Sequence, residues 1–274
     1  MTPQITDWDD LAFFEEHLSP DSNLVQRTSF GLIDDTGTFY YGQIDSPKAQ
    51  ISLEKLNDTL GPVPFDPIFP AWPPSGAELN TAPELLITST YIKGANFEMY
   101  QWLKERGLEK QLLNSRVGEA QVLEELSEHP HPNLIRYYGC KVTEGYFTGI
   151  VLERHPHDLE AYVESGYRVP DTDQFMAGLE SAIQHLHGLG WAHNDLNPSN
   201  VLVSEAGIPI IIDFEGCQKL GTSLKFIRGT PGWIEGDVGA HHTSEVKHDV
   251  FALVKIREWL EKRALSVDEP CAKC

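Results

Sequence analysis

The chain has 274 residues and a mass of 30.7 kDa, a size that suits one large domain or two small lobes. Hydrophobic residues make up 41% of the chain and aromatic residues 10%, which is enough for a buried core and excludes global disorder. Acidic residues outnumber basic residues 41 to 21, and the formal net charge of -20 argues against a general binder of nucleic acid or of anionic membrane surfaces.

Three features of the sequence indicate the cellular compartment of the protein: the N-terminus, the apolar runs and the cysteines. No apolar run approaches the roughly 18 residues of a membrane-spanning helix, and the acidic N-terminus lacks the basic flank of a signal peptide. The four cysteines are too few for a disulfide framework, and the terminal pair Cys271 and Cys274 lacks the second pair that a zinc site needs. We therefore expect an intracellular protein, most simply a cytoplasmic one.

Residues 1–75 are predicted to form an N-terminal extension. Residues 8–17 have the pattern of a short acidic amphipathic helix. Residues 29–44 have that of a β-hairpin, because two β-prone runs flank the turn-forming residues 34–37. The proline-rich stretch 61–75 is predicted to be a linker or a packed loop.

Residues 76–274 are predicted to form one domain in which short strands and helices alternate. Strands are expected where β-branched and apolar residues cluster, at 85–93, 134–138, 147–152, 201–203 and 208–212. Helices are expected where apolar residues recur at helical spacing, at 97–113, 115–128, 173–189 and 250–264.

Two motifs in this second part carry chemistry. The run His193-Asn-Asp-Leu-Asn-Pro-Ser-Asn200 places an acid, Asp195, and an amide five positions later, and a second acid, Asp213, ends the apolar run 210–212. Phosphoryl transfer needs an acid that accepts or orients the proton of the nucleophile. Magnesium needs hard oxygen ligands, which carboxylates and an amide carbonyl supply.

The two motifs resemble those of the protein kinase superfamily, whose catalytic loop reads H-R-D-L-x-x-x-N and whose metal loop reads D-F-G. Here they read H-N-D-L-N-P-S-N and D-F-E. The resemblance covers about residues 80–262 and is closest to divergent kinase-like proteins of filamentous fungi. It implies a bilobal α+β fold with a small β-rich N-terminal lobe (about 76–153) and a shortened, mainly helical C-terminal lobe (about 154–274).

The resemblance also implies ligands and catalytic roles. ATP and Mg2+ would be the cofactors, and a protein would be the substrate or partner. Asp195 would accept the proton of the substrate hydroxyl, with Asn200 as its neighbour in the catalytic loop. Asn200 and Asp213 would bind Mg2+, and Glu215, which replaces the glycine of D-F-G, is a further candidate ligand.

Further residues match the family pattern at the nucleotide site and in the supporting structure. Lys93 would contact the ATP phosphates and form an ion pair with Glu119, while Glu153 and His155 would lie at the hinge that binds adenine. The residues with an implied structural role are His193, Phe214 and Asp249, the last of which would accept backbone hydrogen bonds from the catalytic loop.

The chain departs from the family pattern at several positions. No glycine-rich loop precedes Lys93, because residues 74–92 contain only Gly76. Asn194 replaces the arginine that holds a phosphorylated activation loop, so activation by that route is not expected. Asn197 replaces the catalytic-loop lysine, a loss that we expect to cost about 10²–10³ in rate.

These departures leave three functions open. The first is an active ATP-dependent kinase acting on protein Ser/Thr hydroxyls. The second is a pseudokinase, a binding module without turnover. The third is a small-molecule kinase, since the two motifs also resemble those of aminoglycoside and choline phosphotransferases. Three short runs are similar to segments of protein kinases and weigh against the small-molecule kinase: 131–133, 229–231 and 248–250.

Overall fold

The computed structural model describes residues 3–19, 22, 24–34, 38–64, 69–84, 90–94, 106–107, 110–224 and 227–265. The chain divides into two compact units. The first combines Met1–Thr81, Ile92–Val117 and Cys140–Ile150, and the second combines Ala82–Tyr91, Gly118–Gly139 and Val151–Cys274. The predicted α+β class is confirmed, because helices and strands both occur along the described chain.

The α-helices of the described residues are α1 (Leu53–Thr59), α2 (Lys110–Ser127), α3 (Leu159–Glu164), α4 (Thr172–Gly188) and α5 (Val246–Leu265). The strands are β1 (Phe13–Leu18), β2 (Val25–Ile33), β3 (Phe39–Ile44), β4 (Gly61–Pro62), β5 (Tyr91–Lys93), β6 (Tyr137–Thr143), β7 (Tyr146–Leu152), β8 (His157–Asp158), β9 (Trp191–Ala192), β10 (Val201–Val203), β11 (Pro209–Ile211) and β12 (Gln218–Lys219).

The first unit contains a four-stranded antiparallel sheet in the order β1-β2-β3-β4. The hairpin predicted over 29–44 corresponds to β2 and β3, and its turn residues 35–37 lie outside the described residues. The helix predicted over 8–17 is wrong. Only Trp8–Asp10 makes a helical turn, and Phe13–Leu18 pairs with β2 because the sheet supplies its backbone with hydrogen-bond partners.

Apolar side chains cover both faces of this sheet. Phe30, Leu32 and Tyr40 belong to one cluster with Leu56 of α1. A separate cluster contains Phe13, Phe39 and Phe69, with Tyr146 of β7 packed against it. The extension is therefore joined through a hydrophobic core to a strand that lies much later in the sequence.

In its described residues, 61–64 and 69–75, the proline-rich segment packs against other parts of the chain, in agreement with the packed loop that was one of the two alternatives expected for it. The backbone N–H of Phe147 donates to Pro70 O over 2.9 Å, and that of Trp72 donates to Gly145 O over 2.8 Å. Pro62 lies in the edge strand β4, where proline is tolerated. Since the first unit contains residues from both sides of position 75, the predicted boundary between extension and domain stays a prediction.

Strands β5, β7 and β6 form a three-stranded sheet in that order. Of the strand predicted over 85–93, Tyr91–Lys93 is strand β5, and residues 85–89 lie outside the described part. The helices predicted over 97–113 and 115–128 correspond to one helix, α2, as far as the chain is described. Residues 95–105 and 108–109 lie outside the described residues. On α2, Ala120, Leu123 and Leu126 are buried.

The second unit is built on α4 and α5, which lie within a few residues of their predicted bounds. Asp171 caps α4 by accepting the backbone N–H of Gln174 over 3.0 Å. Strands β11, β10 and β8 form one small sheet, and β12 pairs with β9. Strand β9 leads into the motif that begins at His193, and β11 ends two residues before Asp213, so the short strands position both motifs. In the described residues, no helix is both long and apolar enough to cross a membrane.

Candidate active site

A buried carboxylate at the start of α5 holds the loop that contains Asp195. Asp249 is 0% exposed. Its Oδ2 accepts the backbone N–H of His193 over 2.9 Å, and its Oδ1 accepts that of Asn194 over 2.8 Å. His187 Nε2 lies 2.8 Å from Asp249 Oδ2. The backbone before Asp195 is thus fixed to a long helix.

The His193 side chain connects the two motifs. Its Nε2 lies 2.9 Å from Ile212 O, and its Nδ1 lies 3.3 Å from the backbone nitrogen of Asp195. A carbonyl oxygen needs a donor and an N–H needs an acceptor, so the ring is neutral with its proton on Nε2. The ring centroid lies 5.5 Å from that of Phe214. His193 therefore packs and orients rather than transferring a proton.

Asn194 is a buried connecting residue that the sequence did not reveal as one. Its backbone has φ 64°, a left-handed conformation that asparagine tolerates better than most residues. The side-chain amide nitrogen lies 2.9 Å from Ala192 O, 3.1 Å from Gly216 O and 3.0 Å from Ser244 Oγ, so its two hydrogens are shared among three acceptors. One neutral side chain thereby joins β9, the residue after the D-F-E motif and the segment before α5.

Asp195 is positioned by groups from its own loop and from the segment 229–231. The Thr230 hydroxyl donates to Asp195 Oδ1 over 2.6 Å, and the Asn197 amide lies 3.5 Å from the same oxygen. Burial raises the pKa of Asp195, while the Thr230 hydrogen bond opposes the increase; the charge of Asp213 raises the pKa further, and the Asn197 amide also opposes it. Among the described residues, no group donates to Asp195 Oδ2, which leaves this oxygen able to accept a proton.

Asn200 and Asp213 are the candidate metal ligands. The Asn200 amide donates to Asp195 O over 2.8 Å, and Asn200 O accepts the backbone N–H of Ile212 over 3.0 Å, so the second motif is tied to the first. Asp213 has φ 63°, and its Oδ1 accepts the N–H of Glu215 over 3.4 Å. The nitrogen of the Asn200 amide is engaged, so its oxygen is the atom available to a cation.

This donor set fits magnesium. In the described part of the chain, no three His, Cys, Asp or Glu side chains gather as a metal site. Mg2+ commonly binds one or two carboxylates, with water and substrate phosphates completing its shell. One carboxylate and one amide oxygen, from Asp213 and Asn200, agree with that mode of binding.

The amino-acid sequence matches a family model described as protein kinase domain over residues 99–264, more than half of the chain. The chain belongs to the protein kinase family. Its fold class is accordingly the kinase-like α+β fold that the two motifs predicted.

The chain is also similar in sequence to individual protein kinases. The chain is 34% identical over 134 residues to the serine/threonine-protein kinase/endoribonuclease IRE1 of Hypocrea jecorina, which covers 42% of this chain and 10% of that protein. It is 34% identical over 149 residues to the serine/threonine-protein kinase/endoribonuclease IRE2 of Homo sapiens, with coverage of 46% and 15%. It is 33% identical over 132 residues to mitogen-activated protein kinase kinase kinase 3 of Arabidopsis thaliana, with coverage of 44% and 19%. The chain thus spans less than a fifth of the length of these relatives.

In this kinase chain, Glu119 lies on α2 and is only 4% exposed. Its Oε1 accepts the backbone N–H of Phe214 over 3.1 Å, so α2 is hydrogen-bonded directly to the D-F-E turn. Lys93, its expected partner, lies at the end of β5. The predicted ion pair between Lys93 and Glu119 stays a prediction.

The remaining predicted ligand residues are Glu153 and His155 for the nucleotide and Glu215 for the metal, and they differ in their polar contacts. His155 Nε2 lies 3.5 Å from Glu153 Oε2, and the backbone N–H of Glu153 donates to Arg136 O over 2.9 Å. The N–H of Glu153 is therefore used within the protein. The Glu215 carboxylate contacts no polar group of the described residues, and its role as a ligand stays a prediction.

Two residues at the kinase site had no predicted role in it. Thr230 was recognised only as part of the run 229–231, and nothing in its spacing indicates that its hydroxyl reaches Asp195. Asn197, recognised only as a missing lysine, donates to Asp195 O over 3.0 Å and to Thr230 Oγ1 over 3.3 Å. The lysine position is therefore occupied by a neutral donor that braces the loop.

Proposed function

We propose that this chain is an ATP- and Mg2+-dependent protein kinase that transfers the γ-phosphate of ATP to a serine or threonine hydroxyl. The observation that carries the proposal is the orientation of Asp195. One carboxylate oxygen is occupied by the Thr230 hydroxyl at 2.6 Å, and the other meets no donor among the described residues. A carboxylate held in this way can accept the proton of an incoming hydroxyl.

Asn200 and Asp213 are proposed to hold Mg2+, with Glu215 as a third oxygen ligand. The Asn200 hydrogen bond to Asp195 O supports this role, because it fixes the amide next to the proton acceptor. When bound, Mg2+ neutralises charge that develops on the transferred phosphate. Asp249 and His193 are proposed to keep the loop in place while this occurs.

Lys93, Glu119, Glu153 and His155 are proposed to bind ATP. Lys93 would contact the phosphates, Glu119 would orient Lys93, and Glu153 and His155 would flank the adenine. The Glu119 hydrogen bond to Phe214 supports a link between the nucleotide site and the metal turn, because the same helix would then serve both.

Thermal unfolding with and without ATP and Mg2+ provides the first test. A ligand at 100 times its Kd stabilises a protein by about 2.7 kcal/mol. We expect a Mg2+-dependent rise in Tm that Asp213→Asn removes and that Glu205→Gln, a charge loss at an exposed loop residue, retains. Absence of any rise at millimolar ATP would contradict nucleotide binding.

Turnover is the second test, with mixed peptides, aminoglycosides and aminoalcohols as acceptors. We expect phosphopeptide formation that Asp195→Ala abolishes without loss of ATP binding. Phosphate transfer only to the small molecules would overturn the protein kinase assignment. Transfer that persists in Asp195→Ala would overturn the role of Asp195.

One observation favours a second candidate, a pseudokinase. Asn197 presents a neutral amide to Asp195 and Thr230 where the family has a cationic lysine. Without that charge, stabilisation of the transferred phosphate is weaker. Nucleotide binding without turnover would select this function over the first, and restored turnover in Asn197→Lys would identify the missing charge as the cause.

A further inference from the structure

One carboxylate on α2, that of Glu125, accepts hydrogen bonds from both strands of the β9–β12 pair. The indole Nε1–H of Trp191 donates to Glu125 Oε1 over 3.0 Å, and the Lys219 ammonium donates to the same oxygen over 2.6 Å. The Lys219 ammonium also lies 4.1 Å from the centre of the Trp191 ring, a cation–π distance. We call these three side chains the Glu125 cluster.

The strand register explains why the two donors meet. Trp191 and Lys219 are direct partners in the antiparallel pair, and side chains of opposed residues lie on the same face. Strand β9 continues into the loop of Asp195, and β12 follows the turn Phe214–Gly216 after one residue. A helix attached to this strand pair is therefore attached to both motifs of the candidate active site.

Within the described residues, the Glu125 cluster provides a further polar attachment of α2 to the site. The first is the hydrogen bond from the Phe214 backbone N–H to Glu119 Oε1. Glu125 follows Glu119 by six residues, which on an α-helix is about 9 Å along the axis and about 120° around it. Two attachments that differ in both respects oppose rotation of α2 as well as sliding.

The local electrostatics agree with a charged but exposed carboxylate. Burial alone would raise the pKa of Glu125, but the hydrogen bonds from Lys219 and Trp191 outweigh this effect and hold the pKa below its usual value. The Glu125 side chain is 41% exposed, so solvent screens the ion pair and its contribution is modest. We therefore expect that removal of this ion pair changes the exchange rate of the Phe214 amide and kcat moderately and abolishes neither hydrogen bonding nor turnover.

We propose that Glu125 is a positioning residue, which holds α2 on Trp191 and Lys219 so that Glu119 reaches the backbone N–H of Phe214. The effect of Glu125 on phosphate transfer rests on the proposed function. Its effect on the Phe214 hydrogen bond does not, because that bond is a property of the protein without ligands.

The primary test is hydrogen exchange of the Phe214 amide, resolved by NMR in the full chain. Glu125→Gln keeps an acceptor for Trp191 but removes the ion pair, and we expect exchange at Phe214 to become about fivefold faster. Glu128→Gln is the matched control, because it removes the same charge close by from an exposed residue whose side chain makes no hydrogen bond or ion pair among the described residues. An amide in the middle of α4 reports on global opening, so the change at Phe214 in each variant is compared with the change at that amide.

A double-mutant cycle tests the mechanism. Lys219→Met should accelerate Phe214 exchange as Glu125→Gln does, and the double variant should be no faster than either single variant, because both remove one interaction. The Trp191 indole N–H resonance should shift in both single variants. Equal Phe214 exchange in Glu125→Gln and Glu128→Gln, or additive effects in the double variant, would overturn the proposal.

A measurement of phosphate transfer distinguishes failure of the proposed kinase function from failure of the positioning role of Glu125. With a peptide substrate, Glu125→Gln should lower kcat about fivefold and leave the KM for the peptide unchanged, because the peptide does not contact α2 in the proposed role. If the wild-type chain transfers no phosphate, the proposed function fails. The exchange measurement still decides whether Glu125 positions Glu119.

Discussion

Asn194 and His248 share a buried hydrogen bond of 3.1 Å between Asn194 Oδ1 and His248 Nδ1. The amide nitrogen of Asn194 faces the carbonyl oxygens of Ala192 and Gly216, so the oxygen of the amide must be the acceptor and His248 Nδ1 must carry the proton. The bond connects α5 to the residue that precedes Asp195. A kinase position usually occupied by a charged arginine is thus part of a neutral buried network.

Asn194→Asp should destabilise the protein strongly. It replaces the donating amide by a carboxylate that faces Ala192 O and Gly216 O, and it buries a charge. We expect a loss of about 3 kcal/mol or more in the free energy of unfolding, measured by urea denaturation. Asn194→Gly tolerates φ 64° and only deletes the hydrogen bonds, so its loss should be about 1–3 kcal/mol. An aspartate variant as stable as wild type would contradict the assigned network.

His248 should make stability depend on pH below neutrality. Burial lowers the pKa of His248, and the nearby His241 lowers it further, against the opposite effects of Glu245 and Asp249. The unfolded chain binds the proton at a pKa of about 6.5, so the stability is full above that pH and is lost as the pH falls towards the lower folded pKa. The difference in Tm between wild type and His248→Gln should shrink over this range. His242→Gln, which removes an exposed histidine of the same segment, is the matched control.

Asp195→Asn should raise Tm at pH 7 while abolishing phosphate transfer. Burial is the main reason that the pKa of Asp195 is raised, and asparagine removes the charge while still accepting the Thr230 hydroxyl. A raised carboxyl pKa means that stability is lost as the pH rises through the folded value. The advantage of the variant should therefore diminish as the pH is lowered from 7 to 4 in metal-free buffer. A lower Tm for Asp195→Asn at pH 7 would show that the charge is compensated.

Thr230→Val should weaken catalysis by removing the donor to Asp195 Oδ1. We expect kcat to fall about tenfold and the acid limb of the pH–rate profile to move to higher pH, because the Thr230 hydrogen bond holds the pKa of Asp195 down. Thr230→Ser retains the hydroxyl and should restore both properties. A valine variant with the wild-type profile would exclude Thr230 as an orienting residue.

Gly42→Ala tests the packing of the N-terminal sheet. A Cβ at Gly42 would lie 2.3 Å from Phe30 Cζ, inside the core cluster of that sheet. We expect a loss of about 1–3 kcal/mol in unfolding free energy, measured by chemical denaturation. At Gly61 a Cβ meets nothing within 4 Å, so Gly61→Ala is the matched control and should be close to neutral. Equal stability of the two variants would contradict the described packing.

The elements that sequence patterns predicted well are those with local causes. Helix α4 has an apolar face at helical spacing and its own N-cap, Asp171, so its bounds follow from neighbouring residues. The incorrect helix over 8–17 failed for the opposite reason. Its residues meet the helical pattern, but Phe13–Leu18 gains ladder hydrogen bonds and core packing from β2, which no local pattern encodes.

The candidate active site likewise has features that local sequence predicts and features that depend on distant residues. Spacing alone identified Asp195, Asn200 and Asp213 as a set, because each lies in a short motif whose chemistry is readable from residue type. It did not identify Thr230, which is 35 residues from Asp195, or the partners of the Asn194 side chain, which are up to 54 residues away. Contacts across such distances depend on how strands and helices pack.

The amino-acid sequence by itself determined the family and the α+β class, and it predicted the acid, the amide and the second acid of the site, because these depend on residue type and local spacing. Only the tertiary structure decided how the site is held together. The Thr230 hydroxyl donates to Asp195, the Asn194 side chain connects four segments, and Glu119 accepts the backbone N–H of Phe214. The physical reason is that a hydrogen bond needs its atoms within about 3 Å. Distant parts of a chain reach that separation only when the whole fold brings them together.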